Sequence, residues 1–225
     1  DSVDRNVFAY NSVTHGGDGF FLWAGQSTMD RGEGGCNDNL LYGNDFSHAP
    51  TNGIEVTFSR TAIINNKVLE CWHGIWGGYS FQSPIVGNVF GLNSESIAIE
   101  HGNDIAIRRN LFLNDLYSVV LWQNPGPNNG PYARDRETRS RSYQIRDNTF
   151  DGIAAAALNL RSTQDVTVVG NKVTRSKQLF DRTTARVSVR GGLPYREGSL
   201  PGLVIRQNEI HTPQTELPEN ADKVE

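Results

Sequence analysis

Long hydrophobic runs, cysteines and an excess of either charge are all scarce in this 225-residue chain. No segment approaches the roughly 18 to 20 consecutive apolar residues that a membrane-spanning helix requires, so we expect no membrane span. The two cysteines, Cys36 and Cys71, form neither a CxxC pair nor a zinc spacing, and whether they form a disulfide stays open. With 21 basic and 25 acidic residues the chain lacks the basic excess of a nucleic-acid-binding protein, so we expect no nucleic-acid partner.

The sequence does contain a repeat. The motif Asn-x-(Phe, Val or Ile) recurs along the chain, starting at Asn6, Asn44, Asn66, Asn88, Asn110, Asn148, Asn171 and Asn208. Four of the seven spacings between successive asparagines are 22 or 23 residues, and the other three are 37 or 38. A constant coil with three insertions explains both spacings. Asparagine suits the turn in such a coil because it tolerates the left-handed conformation.

A second strand pattern follows most of these asparagines. It reads Gly-Ile-x-x or a close variant, at residues 19–22, 53–56, 74–77, 96–99, 118–121 and 157–160. Each coil is therefore predicted to hold three short strands, which pair in parallel with the strands of the next coil about 4.8 Å away. The predicted fold is all-β: a parallel β-helix of about eight coils, each of roughly 22 residues, over residues 1–211. A polar tail or linker is predicted over residues 212–225.

The two rung patterns resemble those of the pectin-lyase-like superfamily of right-handed parallel β-helices. The resemblance extends from about Val3 to Ile210. It implies a carbohydrate-active protein whose polysaccharide cleft lies on the first parallel sheet, in a secreted, periplasmic or cell-surface location. We find none of the motifs of polygalacturonases, pectate lyases or alginate epimerases, so the resemblance does not specify a reaction. Both ends of a solenoid need a cap, which predicts a possible flanking domain.

Side-chain alternation predicts two outward columns on the strands of the first sheet. The first column holds Phe21, Glu55, Trp76, Ala98, Val120 and Asn159, and the second holds Trp23, Thr57, Gly78, Glu100, Trp122 and Arg161. The bend before these strands holds Asp18, Asn52, His73 and Glu95. Tryptophan rings stack on sugars, and carboxylates beside them transfer protons. The alternative is that the tryptophans form a small core beneath inserted loops.

Three insertions, at about residues 25–39, 124–142 and 190–202, follow the same strand and should rise beside this one face. Long loops on one face of a solenoid usually build its binding site. We therefore predict a glycoside hydrolase that acts on a polysaccharide or oligosaccharide. The predicted catalytic residues are Glu55, Glu100, His73 and Glu95, and the predicted substrate-binding residues are Asp18, Trp23, Trp76, His101, Trp122 and Arg161.

Glu55 and Glu100 are expected two coils apart, about 9.6 Å along the axis before side-chain reach is counted. That spacing favours an inverting over a retaining pair of carboxylates. A lyase or epimerase acting on uronic-acid polymers is the alternative reaction, and a non-catalytic glycan-binding or adhesin β-helix is the alternative class. Arg161 and the run Arg134–Arg141 suggest that the substrate is acidic, although the run is equally well explained as self-paired surface charge.

No cofactor is predicted, with calcium as the alternative. Asp30, Glu33 and Asp38 are hard oxygen ligands that an inserted loop could bring together around calcium. A transition-metal site formed by Glu55, His73 and His101 has no HxH or HExxH spacing to support it.

Overall fold

A computed structural model describes residues 3–124, 130–181, 187–190, 193–196 and 200–213. Besides short strands, these residues form one α-helix, α1 (Gln26–Arg31), and one 3₁₀ turn, Gly130–Ala133. The strands are, in chain order, β1 (Val7–Ala9), β2 (Phe20–Leu22), β3 (Cys36–Tyr42), β4 (Asn52–Val56), β5 (Ser59–Ile64), β6 (Lys67–Leu69), β7 (His73–Trp76), β8 (Pro84–Val86), β9 (Val89–Gly91), β10 (Glu95–Glu100), β11 (Asn103–Arg108), β12 (Leu111–Leu113), β13 (Tyr117–Trp122), β14 (Arg141–Arg146), β15 (Thr149–Asp151), β16 (Ala156–Arg161), β17 (Gln164–Val169), β18 (Lys172–Thr174), β19 (Val187–Arg190), β20 (Leu193–Arg196), β21 (Val204–Arg206) and β22 (Glu209–His211).

Three parallel sheets form the faces of a β-helix, which confirms the predicted fold class. The first sheet has the order β2-β4-β7-β10-β13-β16, the second has the order β1-β3-β5-β8-β11-β14-β17-β21, and the third has the order β6-β9-β12-β15-β18-β22. The eight strands of the second sheet correspond to the eight predicted coils. The last described strand ends at His211, and residues 214–225 of the predicted tail lie outside the described residues.

The insertions carry the secondary structure that is not part of the coils. The helix α1 lies in the first insertion and the 3₁₀ turn in the second. Strands β19 and β20 pair as an antiparallel hairpin, the exception to parallel pairing. Phe180 still bridges Leu158 in parallel, so the third insertion begins after Phe180, earlier than the predicted residue 190.

The core is built from apolar ladders that run along the solenoid axis. Ile54, Ile75 and Ile97 align in the first sheet and are fully buried. Phe90, Phe112 and Phe150 stack in the third sheet, with ring centroids 5.1 and 4.8 Å apart. Each such side chain contributes about 1.5–3 kcal/mol by leaving water. Both cysteines are buried and free, and Cys36 and Cys71 belong to this core.

A ladder of buried asparagines closes one corner of the coils. Each side-chain amide donates to the side-chain oxygen of the next member, as Asn66 donates to Asn88 at 3.1 Å and Asn88 to Asn110 at 3.0 Å. The ladder begins at Asn11, whose Nδ2 lies 2.9 Å from Asn44 Oδ1. Our assignment of Asn6 to this ladder was therefore wrong, because the Val7–Ala9 strand that follows Asn6 pairs with β3 in the second sheet.

Candidate active site

The outward columns of the first sheet have the predicted register. In the first column Glu55 pairs with Trp76, and Trp76 pairs with Ala98. Constant coils impose this alignment because parallel strands of equal repeat length pair at equivalent positions. The residues that precede the strands also align, since His73 pairs with both Asn52 and Glu95. The six strands of the sheet therefore bring residues from six different coils to one face.

The middle of this face is covered rather than open. Ala98 and Val120 point outward but are 0% and 1% exposed. Trp76 and Trp122 lie on the same face with ring centroids 5.6 Å apart. The guanidinium carbon of Arg161 lies 5.2 Å from the centroid of Trp122. The two tryptophans therefore contact other side chains and are only partly available for stacking on a sugar.

Four polar side chains form a connected chain at one edge of the face. Asn52 donates from Nδ2 to Glu55 Oε2 at 2.9 Å, and its Oδ1 lies 2.9 Å from His73 Nδ1. The other ring nitrogen of His73 lies 3.4 Å from Glu95 Oε2. Asp18 joins this group from the preceding coil, because its Oδ1 accepts hydrogen bonds from the backbone N–H of Asn52, at 3.0 Å, and from the Thr51 hydroxyl. We call Asp18, Asn52, Glu55, His73 and Glu95 the acidic cluster.

The carboxyl group of Glu55 has a perturbed pKa. Burial raises the pKa of Glu55 to about 6, and the negative charge of Asp18 adds to the increase. The hydrogen bond from Asn52 and the charge of His73 act in the opposite direction. Desolvation disfavours the ionised form, and a nearby like charge does the same. Glu55 therefore keeps its proton to a higher pH than an ordinary glutamate.

Exposed aromatic rings flank the acidic cluster. Trp72 is 57% exposed and Phe21 is 54% exposed. The ring of Trp72 stacks on the His73 ring with 4.6 Å between the two centroids. The centroid of the Trp76 ring lies 5.0 Å from that of the same imidazole. Sequence reasoning missed Trp72 as a binding residue, because it lies outside both outward columns. Its position next to His73 in the chain was the available signal.

Two predicted site residues, Glu100 and His101, lie apart from the acidic cluster and form hydrogen bonds with the second insertion. Glu100 accepts a hydrogen bond from the side chain of Asn124. The buried His101 has both ring nitrogens engaged, since Nδ1 lies 2.8 Å from the Thr138 carbonyl oxygen and Nε2 lies 3.1 Å from the Asn124 backbone nitrogen. A carbonyl only accepts and a backbone N–H only donates, so this imidazole is neutral with its proton on Nδ1.

Trp23 packs in a second small core outside the coils. Its ring lies against Ala24, Phe58 and Tyr132, and Tyr132 comes from the second insertion. This is the packing that the alternative interpretation of the tryptophans predicted. The arginines of the second insertion are partly self-paired: Arg139 and Arg141 both contact Glu137.

The proposed calcium ligands do not converge. Asp30 accepts a hydrogen bond from Gln26, Glu33 pairs with Arg31, and Asp38 pairs with Arg60. Within the described part of the chain, no three His, Cys, Asp or Glu side chains form a group that could hold a metal ion. Among the described residues there is likewise no helix long and apolar enough to cross a membrane.

Comparison with known proteins gives one match. A family model described as "Periplasmic copper-binding protein (NosD)" matches residues 1–129, more than half of the chain. The matched segment contains the whole acidic cluster and both exposed aromatic rings. No curated protein and no solved structure matches the chain.

The residues that the structure describes do not fit a resident copper centre. Imidazole, thiolate and thioether groups are the ligands that copper prefers in proteins. The two cysteines are buried in the core, and His101 has no nitrogen left for a metal. His15 and His48 do lie together, but their rings stack face to face at 4.8 Å and so do not point their nitrogens at a common point.

Proposed function

The chain belongs to the NosD family of periplasmic β-helix proteins, and we propose that it is a glycoside hydrolase whose catalytic groups are Glu55 and Asp18. The periplasmic location agrees with the locations expected from the fold. The observation that carries the proposal is the raised pKa of Glu55, about 6, next to the carboxylate of Asp18. A carboxyl group that keeps its proton to a raised pH, next to a second carboxyl group, is an arrangement that glycosidases use.

Each carboxyl group has surroundings that suit a different role. Glu55 is half-buried and its pKa is raised to about 6, so it stays protonated to a higher pH than an ordinary glutamate and serves as the general acid that protonates the leaving oxygen. Asp18 accepts two hydrogen bonds, from the backbone N–H of Asn52 and from the Thr51 hydroxyl, which fix the orientation of its carboxyl group. Asp18 therefore serves as the base or nucleophile. We propose Asp18 in place of Glu100 as the partner of Glu55, because the Glu100 side chain accepts a hydrogen bond from Asn124 at the start of the second insertion.

The remaining residues of the acidic cluster position the acid. Asn52 holds the Glu55 carboxyl by its amide, and His73 holds the Asn52 carbonyl in turn. Glu95 Oε2 lies 3.4 Å from the far ring nitrogen of His73 and limits the movement of that ring. Phe21 and Trp72 supply the exposed ring faces on which sugar units stack.

Turnover of a glycan panel by matched variants tests this assignment. We would measure new reducing ends and unsaturated-uronate absorbance from neutral and acidic polysaccharides, for the wild type, Glu55→Gln, Asp18→Asn and Glu100→Gln. The proposal requires new reducing ends without absorbance, a loss on the order of 100-fold or more in Glu55→Gln and Asp18→Asn, and near-normal activity in Glu100→Gln.

The other outcomes point to the alternative functions. Unsaturated-uronate absorbance would assign a lyase. Binding without turnover, with affinity lost in Trp72→Ala and unchanged in Glu55→Gln, would assign a non-catalytic glycan-binding β-helix. Activity lost in Glu100→Gln but kept in Asp18→Asn would restore the original carboxylate pair.

A further inference from the structure

We propose that the outward face of the first sheet holds a subsite for an anionic sugar unit, formed by Arg161 and Asn159 at the end nearer the C-terminus. We call these two residues the anion subsite. The proposal rests on the proposed function, because it takes the ligand to be a glycan that lies along the solenoid axis. It adds the chemical class of one sugar unit, which is a sugar bearing a carboxylate or sulfate group beside a free hydroxyl.

Arg161 lies over an aromatic ring, and among the described residues it forms no ion pair with a carboxylate. It aligns with Trp122 in the sheet, and its guanidinium carbon lies 5.2 Å from the ring centroid. Its Nε is buried and has no hydrogen-bond partner among the described residues. Other arginines of the chain, such as Arg60 and Arg175, are paired with aspartates. A guanidinium that lies over an aromatic ring can still donate hydrogen bonds to an anion.

Asn159 presents an unsatisfied acceptor in the same place. The residue is only 8% exposed, and its Oδ1 is buried with no hydrogen-bond partner in the described part of the chain. Asn159 aligns with Val120 on the adjacent strand, and Val120 is buried, so the amide has an apolar neighbour on that side. Buried polar groups in folded proteins are almost always paired. An unpaired acceptor and an unpaired donor two residues apart on one strand therefore indicate a ligand that pairs with both.

The two side chains select for a particular ligand. The guanidinium fork binds a carboxylate or sulfate through paired hydrogen bonds. The Asn159 carbonyl oxygen needs a donor, which the anion itself cannot supply but a sugar hydroxyl can. The carboxylate of Asp181 already has a hydrogen-bond partner, because Tyr117 on strand β13 donates its hydroxyl to Asp181 Oδ2 at 2.9 Å. An anionic group and an adjacent hydroxyl on one sugar ring meet both requirements.

Binding of matched acidic and neutral oligosaccharides tests the subsite. We would use calorimetry on the Glu55→Gln protein, which removes turnover, with hexamers of galacturonate and of a sulfated galactan. Each is compared with its neutral counterpart, the methyl ester or the desulfated chain. We expect at least one acidic hexamer to bind more tightly than its neutral counterpart, and the carboxylate and sulfate arms show which anion is preferred.

Substitutions then locate the preference. Arg161→Gln should weaken binding of the acidic hexamer roughly tenfold or more and leave the neutral hexamer nearly unchanged. Asn159→Asp keeps the shape of the side chain and places a negative charge beside the anion, so it should also reduce binding of the acidic hexamer selectively. Arg206→Gln is the matched control, because it removes the same charge from an exposed position on the second sheet. Thermal melting checks that each variant is folded.

The results separate this inference from the proposed function. Equal affinity for acidic and neutral hexamers, a preference that survives Arg161→Gln, or no binding of either acidic hexamer would overturn the anion subsite. Cleavage of neutral glycans without any acidic preference would leave the hydrolase assignment standing alone. An acidic preference that depends on Arg161, in a wild-type protein that cleaves nothing, would keep the subsite and reject the hydrolase.

Discussion

Asn52 joins Glu55 to His73 through the two ends of its side-chain amide. Nδ2 donates to Glu55 Oε2 at 2.9 Å, so Oδ1 is the end that faces His73 Nδ1, also at 2.9 Å. An amide oxygen only accepts, and Nδ1 of His73 therefore carries a proton. The remaining nitrogen, Nε2, faces Glu95 at 3.4 Å. One residue, Asn52, thus orients the Glu55 carboxyl group and places a proton on Nδ1 of His73.

Substitutions at Asn52 and Asp18 should move the pKa of Glu55 in opposite directions. The hydrogen bond from Asn52 stabilises the ionised form of Glu55, so Asn52→Ala should raise the pKa above its present value of about 6. The charge of Asp18 disfavours that form, so Asp18→Asn should lower the pKa towards the ordinary glutamate value. NMR titration of the Glu55 side-chain carbon measures both shifts. Shifts in the same direction would contradict the electrostatic explanation.

Trp72 should contribute mainly to glycan binding, and Trp122 mainly to the stability of the fold. Trp72 is more than half exposed, so Trp72→Ala should change the free energy of unfolding by no more than about 0.5 kcal/mol while weakening glycan binding. Trp122 is half-buried between Trp76 and Arg161, so Trp122→Ala should lower stability by roughly 3 kcal/mol. Denaturant unfolding and glycan calorimetry on both variants make the comparison. A large loss of stability in Trp72→Ala would remove its assignment as a binding surface.

Asp115 should make the protein less stable as the pH rises. Burial raises the pKa of this carboxyl to about 7, and its Oδ1 accepts the backbone N–H of Asn93 at 3.0 Å. A folded-state pKa above the unfolded value means that the folded protein binds the extra proton. This contribution is complete below about pH 4, the unfolded pKa, and is lost as the pH rises through about 7.

Asp115→Asn should remove this dependence, because the amide keeps the acceptor oxygen and cannot ionise. Relative to the wild type, the variant should gain stability between pH 4 and pH 8, by an amount on the order of a few kcal/mol. Asp104→Asn makes the same chemical change at an exposed position and serves as the control. Denaturant unfolding at several pH values measures how the free energy of unfolding changes with pH in each protein. Parallel pH curves for Asp115→Asn and the wild type would show that Asp115 is already ionised in the folded protein.

The asparagine ladder should be most sensitive to substitution at its centre. Asn88 donates to the Ile63 carbonyl at 2.9 Å and accepts the backbone N–H of Asn66 at 2.8 Å. Asn88→Ala leaves both buried groups unpaired, which costs roughly 2–6 kcal/mol in the free energy of unfolding. Asn208, at the end of the ladder, is partly exposed, so water can replace its hydrogen bonds and Asn208→Ala should cost less. Equal losses in the two variants, measured by urea unfolding, would argue against burial as the cause.

The sequence was sufficient for the repeating part of the structure. A fixed coil length fixes which residues stack, so the period alone aligned Glu55 with Trp76 and placed Asp18, Asn52, His73 and Glu95 at equivalent positions. The apolar positions were equally readable, because alternation along a strand decides which side chains enter the core. The first coil was the exception, since the motif at Asn6 resembled the ladder motif of Asn11 and only strand pairing distinguished them.

Tertiary structure decided which of the stacked residues act together. The hydrogen bonds of Asn52, the burial that raises the pKa of Glu55, and the exposure of Trp72 depend on side-chain conformation, which the period does not set. Glu100 and His101 stood on the same predicted face, but contacts with the second insertion engage both of them. The path of an inserted loop depends on where its own side chains pack, as Tyr132 packs against Phe58, and no repeat encodes that contact.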